Sequence, residues 1–398
     1  MIDTETAPQE KEIPVSRVIQ KLKGTKPGPT VLFIAGMHGN EPAGVMALEQ
    51  VLEDISAREN NLRGTIYAVR GNLKALSEGK RFVDTDLNRL WTKANIKMVQ
   101  NKMVLLEEEK ELLELLDFLK ETIKSESGPF YFIDYHTTSS KTLPFVTIND
   151  SMINRKFAGQ FPVPVVLGIE EFLEGPLLSY INQLGYLAIG FESGQHTDPE
   201  AVSNTIAFTY LTLAAAGIIG KMDVEDFEKY GIQLEKASNS VRDIFEVVHL
   251  HKITGVDVFR MLPGFESFQK INKGTHLATN NFLPVYSGFD GRLFMPLYQN
   301  QGNDGFFIIK KIPAFALWLS AFLRKIKIDN LFTLLPGVKW EHRDKEILLV
   351  DLKIAKFVAK PLFHLLGYRV RHLDAQYLRL YNREKASKKK KYRNEGWW

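Results

Sequence analysis

Apolar positions arrive along residues 30 to 220 in short β-branched runs: TVLFIAG from Thr30, GTIYAVRG from Gly64, FYFIDYHT from Phe130, PFVTI from Pro144, VPVVLGI from Val163 and YLAIGFES from Tyr186. Between them lie stretches with helical spacing. One follows Glu41-Pro42, a Glu/Leu-rich one runs from about Ile96 to Glu126, a short one sits near Pro176, and one opens on Asp198-Pro199-Glu200. Aspartate before proline is a strong helix start, because the carboxylate caps the first turn and proline fits the first helical position. Strands alternating with helices predict an α/β domain whose sheet is mostly parallel or mixed. In such sheets functional side chains gather at the carboxyl ends of strands.

The pattern changes after about Met222. From 245 to 312, short strand-like runs are cut by Pro263-Gly264, Lys273-Gly274, Ser287-Gly288, Asp290-Gly291 and Asn303-Asp304-Gly305, which predicts a smaller β-rich domain. From Ala314 onward Trp, Leu and Phe mix with Lys and Arg as far as the run Lys388 to Lys391. The expected organisation is an α/β domain over residues 1–225, a β-rich domain over 226–313, and a C-terminal extension with a basic tail over 314–398.

Composition narrows the chemistry. The 398 residues are 44% hydrophobic and 25% charged, the balance of a chain that folds around a core. Cysteine is absent, which removes disulfides, thiolate nucleophiles, iron–sulfur clusters and cysteine-based zinc sites, so a metal would have to sit on His, Asp and Glu. Residues 383–398 hold seven basic side chains against Glu384 and Glu395, and the formal total of +4 leaves −1 for residues 1–382. A nearly neutral body does not read as a nucleic-acid surface. The basic tail reads as a solvated end capable of weak contact with a membrane surface, an option the adjacent FALWLSAFLRKIKI leaves open. No run approaches the ~18 consecutive apolar residues of a membrane span. The acidic N-terminus MIDTETAPQEKEIP lacks a charged-then-apolar leader pattern, and cytoplasm is the expected compartment.

The first strand ends in AGMHGNEPAG, with His38 and Glu41 three apart in a glycine-flanked loop that enters a helix. That spacing lets an imidazole and a carboxylate converge on one ion, and two His with one Glu and an open position is a catalytic zinc set. FYFIDYHT ends in Asp134-x-His136, and residues two apart on a strand share a face. His136 is the natural third ligand, with Asp134 placed to hold an imidazole in its ligating tautomer. YLAIGFES ends in Glu192, a carboxylate where a general base is expected. The loop RFVDTDLNRLW offers Arg81, Asp84, Asp86, Asn88 and Arg89, suited to clamping a carboxylate and polarising a carbonyl. His249-Leu-His251 also has ligand spacing, but no acidic partner follows, and it reads as a strand face.

HGNEPAG, RFVDTDLNR, DYHTTS and GFESG together resemble the aspartoacylase and succinylglutamate desuccinylase family, a branch of the zinc carboxypeptidases. The four motifs occur in the family's order over roughly residues 30 to 200, and FMPLYQNQGNDG looks like part of the β-domain of its bacterial members. The resemblance implies a zinc-carboxypeptidase-like mixed sheet flanked by helices. It implies one Zn²⁺ per chain on His38, Glu41 and His136, with Glu192 activating water, Arg81 polarising the scissile carbonyl, and Asn88 and Arg89 holding a substrate carboxylate. The implied reaction is hydrolysis of an N-acyl amino acid to a carboxylate and an amine. Aspartoacylases resemble one another in a further arginine shortly before the catalytic Glu, whereas Pro176 to Phe191 holds neither Arg nor Lys, and Asn182 stands in that region. The substrate expected is therefore a small N-acyl amino acid with a neutral side chain, or a peptide-like amide, and nucleic acid is not an expected partner. The competing readings are a carboxypeptidase-like peptidase and a non-catalytic, membrane-associated binding protein on the same fold. A homo-oligomer is compatible with either.

Overall fold

The computed structural model describes residues 16–57, 61–334, 336–341, 347–354, 366–372 and 376–398; the acidic N-terminal stretch lies outside the described residues. Its centre is an 11-stranded mixed sheet. In spatial order the strands are β1 (Val18–Lys23), β3 (Arg63–Arg70), β2 (Lys26–Ala35), β4 (Phe130–Thr138), β7 (Leu187–Gln195), β5 (Phe145–Ile148), β6 (Val165–Leu167), β8 (Ile244–Lys252), β14 (Asp304–Lys311), β13 (Gly291–Phe294) and β10 (Lys270–Ile271). The strands β3, β2, β4 and β7 run parallel, as do β5, β6 and β8, while β5 meets β7 antiparallel. The sheet is thus continuous from the first α/β region into the β-rich region through the β6–β8 pair.

Alternation along the central strands builds two layers of core. Val31, Phe33, Tyr131, Ile133, Leu187 and Ile189 face one side, where they pack with α1 (Ala43–Ser56) and α8 (Pro199–Ala215). Leu32, Ile34, Phe130, Phe132 and Ala188 face the other, beneath a second set of helices. In chain order these are α3 (Lys93–Gln100), α4 (Glu107–Ser125) and α7 (Leu177–Gln183), with α2 (Leu73–Glu78), α5 (Met152–Ala158), α6 (Ile169–Phe172) and α9 (Glu228–Ala237) elsewhere on the frame. Period-2 burial on both faces is what a parallel sheet covered on both sides requires. The single helix expected from Ile96 to Glu126 is two: α3 ends at Gln100 with Asn101 as its C-cap, and α4 starts at Glu107 after the N-cap Leu106, whose N–H donates to Glu109 Oε2 at 3.0 Å.

A three-stranded sheet, β12 (Leu283–Tyr286), β11 (His276–Asn280) and β9 (Phe259–Met261), completes the β-rich part. His251 on β8 stacks on Phe306 with centroids 5.2 Å apart, in keeping with a strand face. In the extension, α10 (Ala314–Lys325) precedes a four-stranded antiparallel sheet, β15 (Val338–Trp340), β16 (Ile347–Asp351), β18 (Tyr377–Asn382) and β17 (Tyr368–His372), with its own apolar core.

The basic tail differs from the solvated end expected of it. Tyr392 and Trp397 are buried in the main core against Tyr131 and Phe157. Tyr392 Oη donates to Phe130 O at 2.6 Å and accepts from Leu187 N at 3.0 Å, while Trp397 Nε1 donates to Tyr131 Oη at 3.2 Å. The tail therefore covers the amino ends of β4 and β7, its lysines lying outward; Lys388 Nζ sits 3.7 Å above the Tyr186 ring. Among the described residues no helix is long and apolar enough to cross a membrane.

Candidate active site

Strand β2 is followed by Gly36, whose left-handed φ of 69° turns the chain into the loop carrying His38 and Glu41. The loop can lie against the strand ends because Gly44, opening α1, has no side chain; a Cβ there would meet Tyr135 Cβ at 2.7 Å. Parity does the rest. Phe132, Asp134 and His136 share one face of β4, and Glu192 stands opposite His136 in the β4–β7 register.

His38 Nδ1 lies 2.8 Å from Glu41 Oε1, and His136 Nδ1 lies 2.9 Å from Glu41 Oε2. One atom from each of His38, Glu41 and His136 falls within 4.8 Å of the others, the only such group among the described residues. The far nitrogen of each ring meets a second carboxylate: His38 Nε2 is 3.1 Å from Asp86 Oδ1, and His136 Nε2 is 3.0 Å from Asp134 Oδ2. Two imidazoles and a carboxylate facing one point, with a carboxylate behind each imidazole, is a donor set that fits a divalent metal. Burial pushes the Glu41 carboxyl up, but the imidazoles on either side outweigh it and hold it well below the usual range. Burial pushes Glu192 up to about 8, opposed by His136 and reinforced by Glu41 and Asp134. Its Oε2 is buried without a hydrogen-bond partner among the described residues.

The loop with Arg81 and Arg89 is organised by a residue that sequence reasoning passed over. Glu108, fully buried at the start of α4, accepts from Val83 N, Asp84 N, Thr85 N and Asn72 Nδ2 at 2.6 to 3.1 Å. It stands out in the sequence only as one of three consecutive glutamates. Arg81 is turned toward the cluster, donating from Nη2 to Asp86 Oδ2 at 3.1 Å and reaching within 3.6 Å of Glu41 Oε1. Asn88 places its amide 3.5 Å from His136 Nε2, while its carbonyl accepts from Leu177 N at the start of α7.

Arg89 is brought beside the group but is not free: its Nη2 donates to Asp304 Oδ2 at 2.6 Å. Asp304 comes from the first position of β14. Burial opposes the Arg89 charge, yet Asp86 and Asp304 together raise its pKa. Two more groups come from outside the expected set. His196, just beyond β7, accepts at Nδ1 from Thr137 Oγ1 at 2.7 Å and donates from Nε2 to Gln299 Oε1 at 3.1 Å, and Asn40 donates to the same oxygen at 2.9 Å. Gln301 donates to Phe82 O at 3.1 Å. The loop before β14 thus ties the β-rich region across the strand ends, and a cavity of about 70 Å³ remains between Arg81, Arg89, His196, Met295 and Asp304. Asn182 is elsewhere, donating to Leu178 O at 2.7 Å and accepting from Asn154 Nδ2 at 2.7 Å.

With this geometry in place, residues 27–215 match the family described as the succinylglutamate desuccinylase/aspartoacylase catalytic domain. Residues 27–215 belong to that family. A probable aspartoacylase of Acaryochloris marina is 30% identical over 163 residues, which are 39% of this chain and 52% of that protein. A succinylglutamate desuccinylase of Pseudomonas fluorescens is 41% identical over 64 residues, 16% of this chain and 19% of the relative. The chain thus matches about half the length of the first relative and about a fifth of the second. The fold is shared with a succinylglutamate desuccinylase/aspartoacylase from Rhodobacter sphaeroides, at a TM-score of 0.53, 16% identity, 73% coverage of this chain and 88% of that one. It is shared also with the product-bound ectoine utilization protein EutE (DoeB) from Ruegeria pomeroyi, at a TM-score of 0.51, 17% identity, 73% coverage of this chain and 87% of that one.

Proposed function

We propose that this chain is a zinc-dependent amidohydrolase that cleaves the amide of an N-acyl amino acid, as a deacylase of the family to which its first domain belongs. The observation that carries the reading is the convergence of His38, Glu41 and His136 within 4.8 Å at the strand ends. One zinc ion per chain held there would supply Lewis-acid polarisation of the scissile carbonyl and would acidify water. Asp86 and Asp134 are assigned the task of orienting the two imidazoles, which leaves each Nδ1 lone pair toward the centre.

Glu192 is assigned the proton. It takes one from the attacking water and passes it to the leaving amine, a role supported by its burial beside His136 and its elevated pKa. Arg81 is the candidate donor to the carbonyl oxygen as charge develops there. Asn88 and Arg89 are assigned a substrate carboxylate, which would share or displace the contact Arg89 makes with Asp304. The short pocket between the β-rich loop and the strand ends suits a small leaving group.

The test is hydrolysis of a panel of N-acyl amino acids and dipeptides by metal-loaded protein, with metal content measured in parallel. The reading predicts about one zinc per chain, loss of most of it in His136→Ala, and release of a free amino acid from N-acyl substrates. Unchanged zinc in that variant would remove the site assignment, and cleavage of dipeptides alone would replace deacylase with peptidase.

A further inference from the structure

The helix α10 is packed inside out. Its polar side faces the α/β domain: Ser320 is buried and accepts from Arg155 Nη1 at 3.3 Å, and Arg324, whose side chain is 3% exposed, pairs with Asp150 at 2.6 Å and Glu384 at 3.1 Å. Its aromatic side faces solvent. Phe315, Trp318, Phe322 and Ile326 are 68%, 61%, 46% and 51% exposed. Their spacing of three and four residues puts them on one stripe. The stripe is ordered as a surface: Trp318 and Phe322 stack with centroids 5.7 Å apart and planes 7° apart. Beyond the helix end, Leu331 and Leu334 are exposed as well. A helix that buries its charge and exposes its aromatics has no apolar partner on that side among the described residues, and so offers a surface to an external one.

The charge around the stripe identifies that partner. Residues 314–398 carry 19 Lys and Arg against 8 Asp and Glu, a balance of +11, which leaves −7 for residues 1–313. The charge is therefore separated between the body and the extension, more strongly than the last sixteen residues suggest. The flank of α10 formed by Leu323 and Lys327 lines a cavity of about 740 Å³ whose other side carries Lys385 and Lys388 to Lys391. Buried aromatic anchors with a lysine cluster at their edge are the two contributions that together hold a protein on an anionic bilayer. A second copy of the chain is a poor occupant, because a two-fold contact would set one lysine cluster against another. Nucleic acid would use the lysines and leave the Phe, Ile and Leu stripe in water.

We propose that the α10 stripe, bordered by the lysine-lined cavity, docks this protein onto an anionic lipid surface, with the aromatic side chains entering the interface and the lysines meeting the headgroup phosphates. The helix lies on the membrane and does not span it. This docking does not depend on the enzymatic reading above.

The test is co-sedimentation of the full chain with vesicles of phosphatidylcholine alone and of equal phosphatidylcholine and phosphatidylserine. Binding is expected to the anionic vesicles only and to weaken as salt is raised. Brominated lipid should quench tryptophan fluorescence in the parent and much less in Trp318→Phe. The triple variant Phe315→Ser, Trp318→Ser, Phe322→Ser touches no core cluster of the described residues, and its partitioning should fall at least about tenfold. Lys389→Gln with Lys390→Gln gives an independent arm, with a fall of about tenfold expected from the loss of two surface cations. Absence of binding to anionic vesicles, equal binding by the triple variant, a protein dimer that the triple variant dissolves, or preference for an oligonucleotide over vesicles would each overturn the proposal.

Discussion

The parallel strands β2, β4 and β7 end very differently at their two edges. Their carboxyl ends hold Asp134, His136 and Glu192, with His38 and Glu41 on the loop that follows β2; all are buried or nearly so, and ion pairs connect Asp134, His136, Glu41 and His38. The amino ends of β4 and β7 are sealed by Tyr392 and Trp397 of the tail, in contact with Tyr131 and Phe157. At the carboxyl edge, polar groups are buried at a cost that a metal ion or substrate would offset. At the amino edge, aromatic area is buried and each hydroxyl or indole N–H has a partner, so the packing itself is stabilising. On the proposed function one edge serves chemistry and the other stability, and substitutions should separate the two.

The largest effect is expected at the amino edge. Trp397→Ala should cost about 3 to 5 kcal/mol of unfolding free energy, since a large aromatic leaves a cavity among Tyr131, Phe157 and Tyr392. Thermal or denaturant unfolding measures this, and turnover per folded molecule should be nearly unchanged. Unaltered stability would mean that the tail is a loose cover.

At the carboxyl edge, Glu192→Gln keeps the shape and removes the proton acceptor, so turnover should fall by at least ~10². Stability should move the other way. A carboxyl whose folded pKa is raised from 4.5 to about 8 destabilises the fold increasingly as pH rises from the unfolded value toward the folded one. Metal-stripped Glu192→Gln should therefore equal the parent in stability below about pH 4 and exceed it by pH 8. An active variant, or one with parallel pH dependence, would break the assignment of this edge to chemistry.

The two edges also differ in how far the sequence discloses them. His38 and Glu41 are three residues apart, and Asp134 and His136 two apart, so strand and turn geometry alone bring each pair to one side. The α/β alternation is equally local and foretells the central sheet. The tail's role is not local: Tyr392 contacts residues 205 and 262 positions away, and four lysines precede it, so its pattern reads as a solvated end. The Lys388 and Lys391 ammonium groups lie over the Tyr186 and Phe130 rings, which lets a charged run cross an aromatic surface. Glu108, Gln299 and Asp304 are not marked as site residues for the same reason, Gln299 and Asp304 reading only as part of the run FMPLYQNQGNDG and its turn. Each acts on a segment remote in sequence, and none belongs to a motif that marks its partner. The break between α3 and α4 is the one local feature that periodicity obscured, because Leu105 and Leu106 continue the apolar rhythm across it.

The smallest effect sharpens the comparison within the carboxyl edge, where Arg81 and Arg89 differ. Arg81 is held by Asp86 and points at the ligand cluster, whereas Arg89 is held by Asp304, which belongs to the β-rich region. If Arg89 receives a substrate carboxylate, Asp304 is a resident competitor for it. A charge-assisted hydrogen bond contributes about 1.5 to 3 kcal/mol, but both side chains keep some solvent contact and the substrate contact replaces much of what is lost. Asp304→Asn should therefore lower KM about tenfold for substrates with a free carboxylate while leaving kcat within about a factor of two. Substrates with a blocked carboxylate should show no change. Arg89→Ala should raise KM for the same substrates and abolish the gain from Asp304→Asn in the double variant, since the two substitutions act on one contact. An Asp304→Asn variant with raised KM would reverse the sign: Asp304 would then be orienting Arg89 for the substrate, and the β-rich region would complete the pocket instead of guarding it.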